Sequence, residues 1–324
     1  MNISVMGLGK LGFPMSKFLS YYGNQVSCFD VNSKLSKRLI ANPKSYLKSE
    51  VGIKKYKNKI KIFFSPYDCL SNTDITFVTV PTPSLTGGKF SNKFILDVLE
   101  EISFYIKNNP KKYPHIININ STVSPGSFEN ELIPFMKKKE LINNIDYSFI
   151  YNPYFVALGN VFQNLENPDF ILVGYSSQYS LRKIKNIYKK IYKNLIIRDM
   201  TLQEAELVKL LVNCYITSKI SFTNFVKNIS DKIGIKSANI ILNAVGSDKR
   251  IGKSYFRQGA PFSGPCFPRD NKALENFCRT IKLNPLIPSI TNRINLNTYA
   301  DMFGILKFIK KKKIKKNWIF RSWI

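Results

Sequence analysis

Histidine, cysteine and acidic side chains are all scarce in this sequence. Its 324 residues contain one histidine, His115. A Ser-His-Asp triad and a zinc site built from several imidazoles are thereby excluded. His115 opens the run His115-Ile116-Ile117-Asn118-Ile119-Asn120, which reads as a strand. The five cysteines, Cys28, Cys69, Cys214, Cys266 and Cys278, are scattered and form no C-x-x-C pair, which argues against a disulfide framework. No run approaches the ~18 apolar residues of a membrane span. The segment Met1 to Gly7 lacks the basic and apolar regions of a signal peptide. A cytoplasmic chain that does not engage a membrane is expected.

Acidic residues number 21 against 49 lysines and arginines, giving a formal net charge of +28. Such a surface concentrates anions. The lysines are dispersed among abundant Ile and Asn, as in a compositional bias, and only Lys307 to Lys316 forms a block, with seven lysines in ten positions. A phosphate-bearing small molecule is the expected partner, and nucleic acid is not. With 44% hydrophobic and 22% charged residues the chain is globular, and its length suits about two domains.

Short apolar runs alternate with amphipathic stretches over the first two hundred residues. Strands are predicted at Ile3–Met6, Gln25–Phe29, Lys59–Phe64, Ile75–Val80, Ile116–Asn120, Ser148–Tyr151, Phe170–Gly174 and Leu195–Asp199. Helices are predicted at Pro14–Tyr22, Ser33–Ala41, Asn92–Ile106, Ser127–Lys138 and Gln178–Tyr192. This alternation predicts an α/β fold with a Rossmann-type, doubly wound parallel sheet. From Thr201 to Ile233 neither Gly nor Pro interrupts a helical period. Thr201 with Glu204 fits a capping box and Gly234 a stop signal, so one long helix is expected, followed by helices at Ser237–Val245, Asn271–Ile281 and Pro288–Lys310. The predicted domains are residues 1–200, residues 201–300 as a helical dimerisation domain, and a helix end with a short stub at 301–324.

Gly7-Leu8-Gly9-Lys10-Leu11-Gly12 follows the first predicted strand and opens the first predicted helix. In such a turn the first glycine permits the sharp bend, the second lets backbone approach a pyrophosphate, and the third lets helix and strand pack closely. Asp30 ends the next strand, where an acid binds ribose hydroxyls and repels a 2′-phosphate, so NAD is expected in preference to NADP. Ligands sit at the carboxyl ends of strands in such sheets, and Val80-Pro81-Thr82-Pro83 and Asn120-Ser121-Thr122-Val123-Ser124-Pro125-Gly126 occupy two of them. Cys266 lies in the Gly/Pro-rich run Ser263-Gly264-Pro265-Cys266-Phe267-Pro268-Arg269-Asp270 before a helix, where the helix dipole and nearby cations can deprotonate a thiol. By itself that position suits a nucleophile or a structural cysteine equally.

With these segments in order, the sequence resembles the UDP-glucose/GDP-mannose dehydrogenase family, from residue 2 to about residue 310. Gly7 to Gly12 with Asp30 looks like its cofactor fingerprint, and Pro81, Thr82, Ser121 and Thr122 look like its nicotinamide-facing loops. Lys219-Ile220-Ser221-Phe222-Thr223-Asn224 is similar to a family segment on the long helix, with Lys209 and Asn213 matching earlier on it. Arg250-Ile251-Gly252, Gly264 and Cys266-Phe267-Pro268-Arg269-Asp270 follow in family order. The resemblance implies an NAD-dependent oxidation of the C6 alcohol of a UDP- or GDP-sugar to the acid, of the kind that serves polysaccharide biosynthesis. Lys219, with Asp270 and a water, would take the hydroxyl proton. Cys266 would attack the aldehyde and carry a thioester, and Lys219 and Asn224 would stabilise the oxyanion, with Thr122 at the reacting centre. Tyr154, Phe155, Lys209, Asn213, Arg250 and Gly264 would bind the sugar nucleotide. A homodimer through residues 201–233 is expected.

Two departures stand out. The family's Asn-Pro-Glu-Phe reads Asn152-Pro153-Tyr154-Phe155 here, and Val156-Ala157-Leu158-Gly159 replaces a charged pair before the glycine. Tyr154 thus removes a carboxylate from the thioester apparatus, and packing or a new role are both open to it. The sequence also stops where the family's second Rossmann-like domain begins. Lys310 to Ile324 reads as a truncated or frame-disrupted start of that domain. A catalytically impaired NAD-binding dimer is the alternative these departures suggest.

Overall fold

The structure, a computed structural model, describes residues 1–42, 60–156, 160–194 and 196–311. The expectations placed on Lys59, on Ala157-Leu158-Gly159, on Leu195 and on residues 312–324 of the C-terminal stub lie outside the described residues. The chain divides into two compact units: Met1–Pro83 with Phe90–Lys209, and Ser84–Lys89 with the chain from Leu210 onward.

The first unit is an α/β fold of Rossmann type. Its strands are β1 (Asn2–Met6), β2 (Gln25–Phe29), β3 (Lys61–Phe63), β4 (Ile75–Val78), β5 (His115–Ile119), β6 (Tyr147–Tyr151), β7 (Ile171–Tyr175) and β8 (Ile197–Thr201). They form one sheet in the order β3-β2-β1-β4-β5-β6-β7-β8. The helices are α1 (Gly12–Tyr21), α2 (Ser33–Ala41), α3 (Pro66–Leu70), α4 (Lys93–Asn108), α5 (Ile133–Lys138), α6 (Val161–Glu166) and α7 (Gln178–Ile191). Both faces of the sheet are covered, so apolar residues occur at successive positions and part by strand alternation. Ile75 and Phe77 of β4 join Phe13 and Phe18 of α1, whereas Val78 joins Leu99 and Ile102 of α4 on the opposite face. The register pairs Met6 with both Phe29 and Val78, and Val78 with Ile119. The carboxyl ends of β2, β1, β4 and β5 are therefore level, and the loops that follow them form one rim.

The sheet departs from the uniformly parallel expectation at one junction, where β6 and β7 pair antiparallel through Ile150↔Tyr175 and Tyr151↔Gly174. A parallel crossover needs a helix long enough to return the chain to the start of the sheet. α6 has six residues, about 9 Å of rise, against about 17 Å for a five-residue strand. α7 has 14 residues and does make the return, so β8 lies parallel to β7. The helix expected at Ser127–Lys138 also divides, into a π turn at Phe128–Leu132 and α5. Pro134 has no N–H to donate four residues back, and the wider turn accommodates that gap. Two short helices, α3 and α6, were not anticipated. Ser65 caps α3 by accepting from Asp68 N at 3.3 Å.

α8 (Leu202–Lys232) runs for 31 residues. Its capping box is formed, with Thr201 N donating to Glu204 Oε2 at 2.8 Å and Glu204 N to Thr201 Oγ1 at 3.3 Å. Gly234 ends it at φ +77°, a conformation that favours glycine. In the second unit α8 is followed by α9 (Ala238–Val245), α10 (Phe267–Thr280) and α11 (Leu286–Lys311). α10 starts four residues before the expected Asn271, because Pro268 sits in its first turn, where no N–H is required. Among the described residues, no helix is long and apolar enough to cross a membrane.

Candidate active site

The glycine turn is built by main-chain crowding. Gly7 has φ +96°, and a Cβ there would lie 2.7 Å from the Thr79 carbonyl oxygen; one on Gly12 would lie 1.9 Å from the Gly7 carbonyl oxygen. Both contacts are impossible for a side chain, so these two glycines set the turn. Gly9 differs. A Cβ there would meet nothing within 4 Å, so its bare backbone faces open space of the kind a pyrophosphate fills. Leu11 gives α1 no side-chain cap, and the positive end of the helix dipole there favours an anion, although Phe13 N already donates to the Gly9 carbonyl at 3.3 Å. Lys10 is exposed beside them. Asp30 accepts from Leu8 N at 2.6 Å and from Asn32 N at 2.8 Å, so its carboxylate is fixed at the end of β2. These features fit a dinucleotide.

The two further loops of the rim are stitched together. Ser121 Oγ donates to the Val80 carbonyl at 2.6 Å, and Thr82 Oγ1 to the Thr122 carbonyl at 2.7 Å. Pro81 between them is exposed. Sequence reasoning missed what fastens the far end of the second loop. Glu206 of α8 is 1% exposed and accepts from Gly126 N at 2.6 Å and Phe128 N at 3.0 Å. Burial pushes its carboxyl up to about 7, against the lowering effect of those N–H groups.

Tyr154 points inward. Its hydroxyl lies 2.8 Å from that of Tyr188 on α7, which donates to Asn152 Oδ1. Burial pushes the Tyr154 phenol up to about 12. Lys209, 7% exposed, donates to the Tyr154 carbonyl at 2.7 Å, and its Nζ stands 4.2 Å from the Phe155 ring centroid.

α8 buries polar side chains beside the apolar Ala205, Leu210 and Cys214. Glu206, Lys209, Thr217, Ser221 and Asn224 are buried, with Asn213 partly so, and their spacing places them on one face. Leu211, Tyr215, Phe222, Phe225 and Ile229 follow another face and are 44–68% exposed. In the second unit Asn213 Nδ2 donates to Asp270 Oδ2 at 2.6 Å, and Asp270, fully buried, is also held by Arg269 at 3.3 Å. Asn224 is used otherwise: its Oδ1 accepts from Gly259 N at 3.1 Å and its Nδ2 donates to the Ala260 carbonyl at 3.4 Å. Lys219 donates to the Ile251 and Gly252 carbonyls at 3.1 and 3.5 Å. Arg250 is exposed and forks onto Asp248 of its own turn, at 2.6 Å for Nη2. Gly264 has φ +82° in the exposed loop that leads to Cys266. Cys266 is exposed at the N-cap of α10, while Cys28, Cys69, Cys214 and Cys278 are buried.

Residues 1–192 match the NAD binding domain of the UDP-glucose/GDP-mannose dehydrogenase family, and residues 203–297 its central domain. The UDP-glucose 6-dehydrogenase of Rickettsia bellii is 30% identical over 302 residues, covering 91% of this chain and 67% of its own length. That of Rickettsia typhi is 32% identical, covering 88% and 64%. The chain thus spans about two thirds of these relatives. The solved UDP-glucose dehydrogenase of Pyrobaculum islandicum superposes with a TM-score of 0.82 at 26% identity, covering 96% of this chain and 71% of that one. The first unit carries the family's NAD-binding domain, and the chain belongs to the UDP-glucose/GDP-mannose dehydrogenase family.

Proposed function

We propose that the chain oxidises the C6 alcohol of a UDP- or GDP-sugar to the acid in two hydride transfers, with Cys266 as nucleophile. The observation that carries this reading is the exposed thiol at the start of α10, four residues before the buried Asp270 that Asn213 grips. NAD, when bound, would accept each hydride. Gly9, the α1 amides and Asp30 would hold it, with Pro81, Thr82, Ser121 and Thr122 beside the nicotinamide. The hydroxyl proton leaves to a base as the alcohol becomes an aldehyde. Cys266 then adds to the carbonyl carbon, the second hydride departs, and water cleaves the thioester to release acid and thiol.

The geometry favours Lys209 with Asn213 over Lys219 with Asn224 for the proton-accepting and oxyanion-holding roles. Lys209 and Asn213 are about 40° apart on α8, and Lys219 and Asn224 about 140°. Both pairs have protein partners: Lys219 and Asn224 bond loop carbonyls and an amide, Lys209 the Tyr154 carbonyl and Asn213 the Asp270 carboxylate. Arg250, Gly264 and Phe155 remain candidates for substrate contact. The exposed apolar stripe of α8 supports a homodimer, because burying it against a second copy removes apolar area from water. Sedimentation at micromolar concentration tests this, and a monomer would overturn it.

The activity is tested by NADH formation with a panel of UDP- and GDP-sugars. Acid formation is expected to vanish in Cys266→Ser with NAD binding intact, and unchanged acid formation would make the thiol structural. The absent carboxylate at Tyr154 favours a second reading, an NAD-binding dimer impaired in turnover. It predicts a covalent adduct on Cys266 that mass spectrometry detects and that breaks down slowly.

A further inference from the structure

We propose that Tyr154 is a positioning residue for Lys209: its phenol, locked against Tyr188, fixes the segment Asn152–Phe155 so that the Tyr154 carbonyl and the Phe155 ring hold the Lys209 ammonium. This deepens the reading above, on which it rests for the chemical use of Lys209.

The segment is fastened from three elements of the first unit. Asn152 Nδ2 donates to the Leu172 carbonyl of β7 at 2.7 Å, and the Asn152 carbonyl accepts from Asn120 Nδ2, just beyond β5, at 2.7 Å. From α7, Tyr188 donates to Asn152 Oδ1 and meets the Tyr154 hydroxyl at 2.8 Å. Tyr154 is also packed against the core that includes Phe18 and Ile184. Its ring and hydroxyl are therefore committed to the interior, and its backbone is what it offers outward. That backbone carbonyl receives Lys209 Nζ at 2.7 Å, with the Phe155 ring centroid 4.2 Å from the same nitrogen.

Neutral partners have a chemical consequence. The family motif places a carboxylate at this position, and a carboxylate beside an ammonium cancels its charge. A carbonyl dipole and a π face orient the ammonium without cancelling it. Burial keeps both phenols protonated, since the Tyr188 hydroxyl is also pushed well above its ordinary range. Tyr154 thus replaces the glutamate by a different device and does not act as its acid–base equivalent.

The test reads the amine directly and needs no turnover, so failure of the proposed oxidation leaves it intact. Reductive methylation of the full chain with formaldehyde and borohydride, followed by peptide mass spectrometry, gives the reactivity of Lys209 relative to exposed Lys10 between pH 7 and 10. Tyr154→Phe and Tyr188→Phe keep the ring volume and remove one hydroxyl each. Each is expected to raise Lys209 reactivity at least about fivefold, the equivalent of one lost hydrogen bond. The double variant is expected to do no more than the larger single one, because both act through one link. Circular dichroism and thermal unfolding check that the variants fold. Folded single variants with unchanged Lys209 reactivity would overturn the proposal. If neither variant folds, the wild-type comparison decides: Lys209 reacting as fast as Lys10 overturns it, and protection supports it.

Discussion

The glycine turn at Gly7–Gly12 and the cysteine loop at Gly259–Cys266 are held in opposite ways. In the turn, atoms of the main chain stand so close that two positions admit no side chain. In the loop, side chains clip the backbone from outside. Asn224 takes Gly259 N and the Ala260 carbonyl, and Asn295 takes Phe262 N and the Phe262 carbonyl at 2.8 and 3.0 Å. A Cβ on Gly259 or Gly264 would meet nothing within 4 Å. A region defined by backbone crowding is intolerant at one or two residues and indifferent elsewhere. A region defined by clips loses stability gradually, one hydrogen bond at a time.

The sharpest way to break that contrast is at the crowded end. Gly12→Ala would set a Cβ against the Gly7 carbonyl and Thr79 Oγ1, at 1.9 and 2.4 Å before relaxation. A loss of about 3 kcal/mol is expected, with NADH binding abolished. Gly9→Ala, two residues inside the same turn, is expected to leave thermal stability nearly unchanged and weaken NADH about tenfold or more, about 1.4 kcal/mol. Fluorescence titration beside thermal unfolding separates the two, and equal destabilisation by both would undo the distinction.

Acid offers a second, smaller lever, confined to the first unit. His115 is 1% exposed, with Thr76 Oγ1 at 2.7 Å, and burial lowers its imidazole to about 3 from an ordinary 6.5. Above pH 6.5 the ring is neutral in both folded and unfolded chains. As pH falls below 6.5 the unfolded chain takes up a proton that the fold refuses, so stability declines progressively toward pH 3. By pH 4 the decline from this group is at most about 3 kcal/mol. It is measured as the wild-type value minus that of His115→Gln in guanidinium unfolding at pH 7 and pH 4. A difference that does not change with pH would show that the ring is protonated in the fold.

At the clipped end the effects are milder. Asn224→Ala leaves Gly259 N and the Ala260 carbonyl without that partner and is expected to cost about 2 kcal/mol. Cys266→Ser should shift stability by less than about 0.5 kcal/mol, since the thiol is exposed. In the folded chain iodoacetamide should alkylate Cys266 ahead of the four buried cysteines. Comparable labelling of Cys28 or Cys69 would contradict their burial.

The same contrast explains what could be read in advance. Gly7–Gly12, Asp30, the capping box of Thr201 and Glu204, and the strand alternation are products of short-range sterics, and spacing displays them. The antiparallel entry of β7 depends on the length of α6, which six residues between Asn160 and Asn167 do not announce. The placement of Ser84–Lys89 with the second unit rests on Gly88 lying against Lys272, nearly two hundred positions away. Glu206 left a faint mark, a carboxylate in register with Lys209 and Asn213 on the long helix. The inward turn of Tyr154 left none, because its partner Tyr188 lies on another element.

Glu206 also bears on competition among anions. A strand end followed by a bend into a helix is a natural seat for phosphate, and the first unit has such seats after both β1 and β5. At the second, the protein's own carboxylate already occupies the Gly126 and Phe128 amides. An intramolecular occupant meets no translational cost on arrival, so a free phosphate competes poorly there. At the seat after β1, α1 has no side-chain cap, and Asp30 takes only the Leu8 amide of the turn that precedes the helix. By filling the seat after β5 with its own carboxylate, the chain withdraws that seat from competition for a dinucleotide's diphosphate.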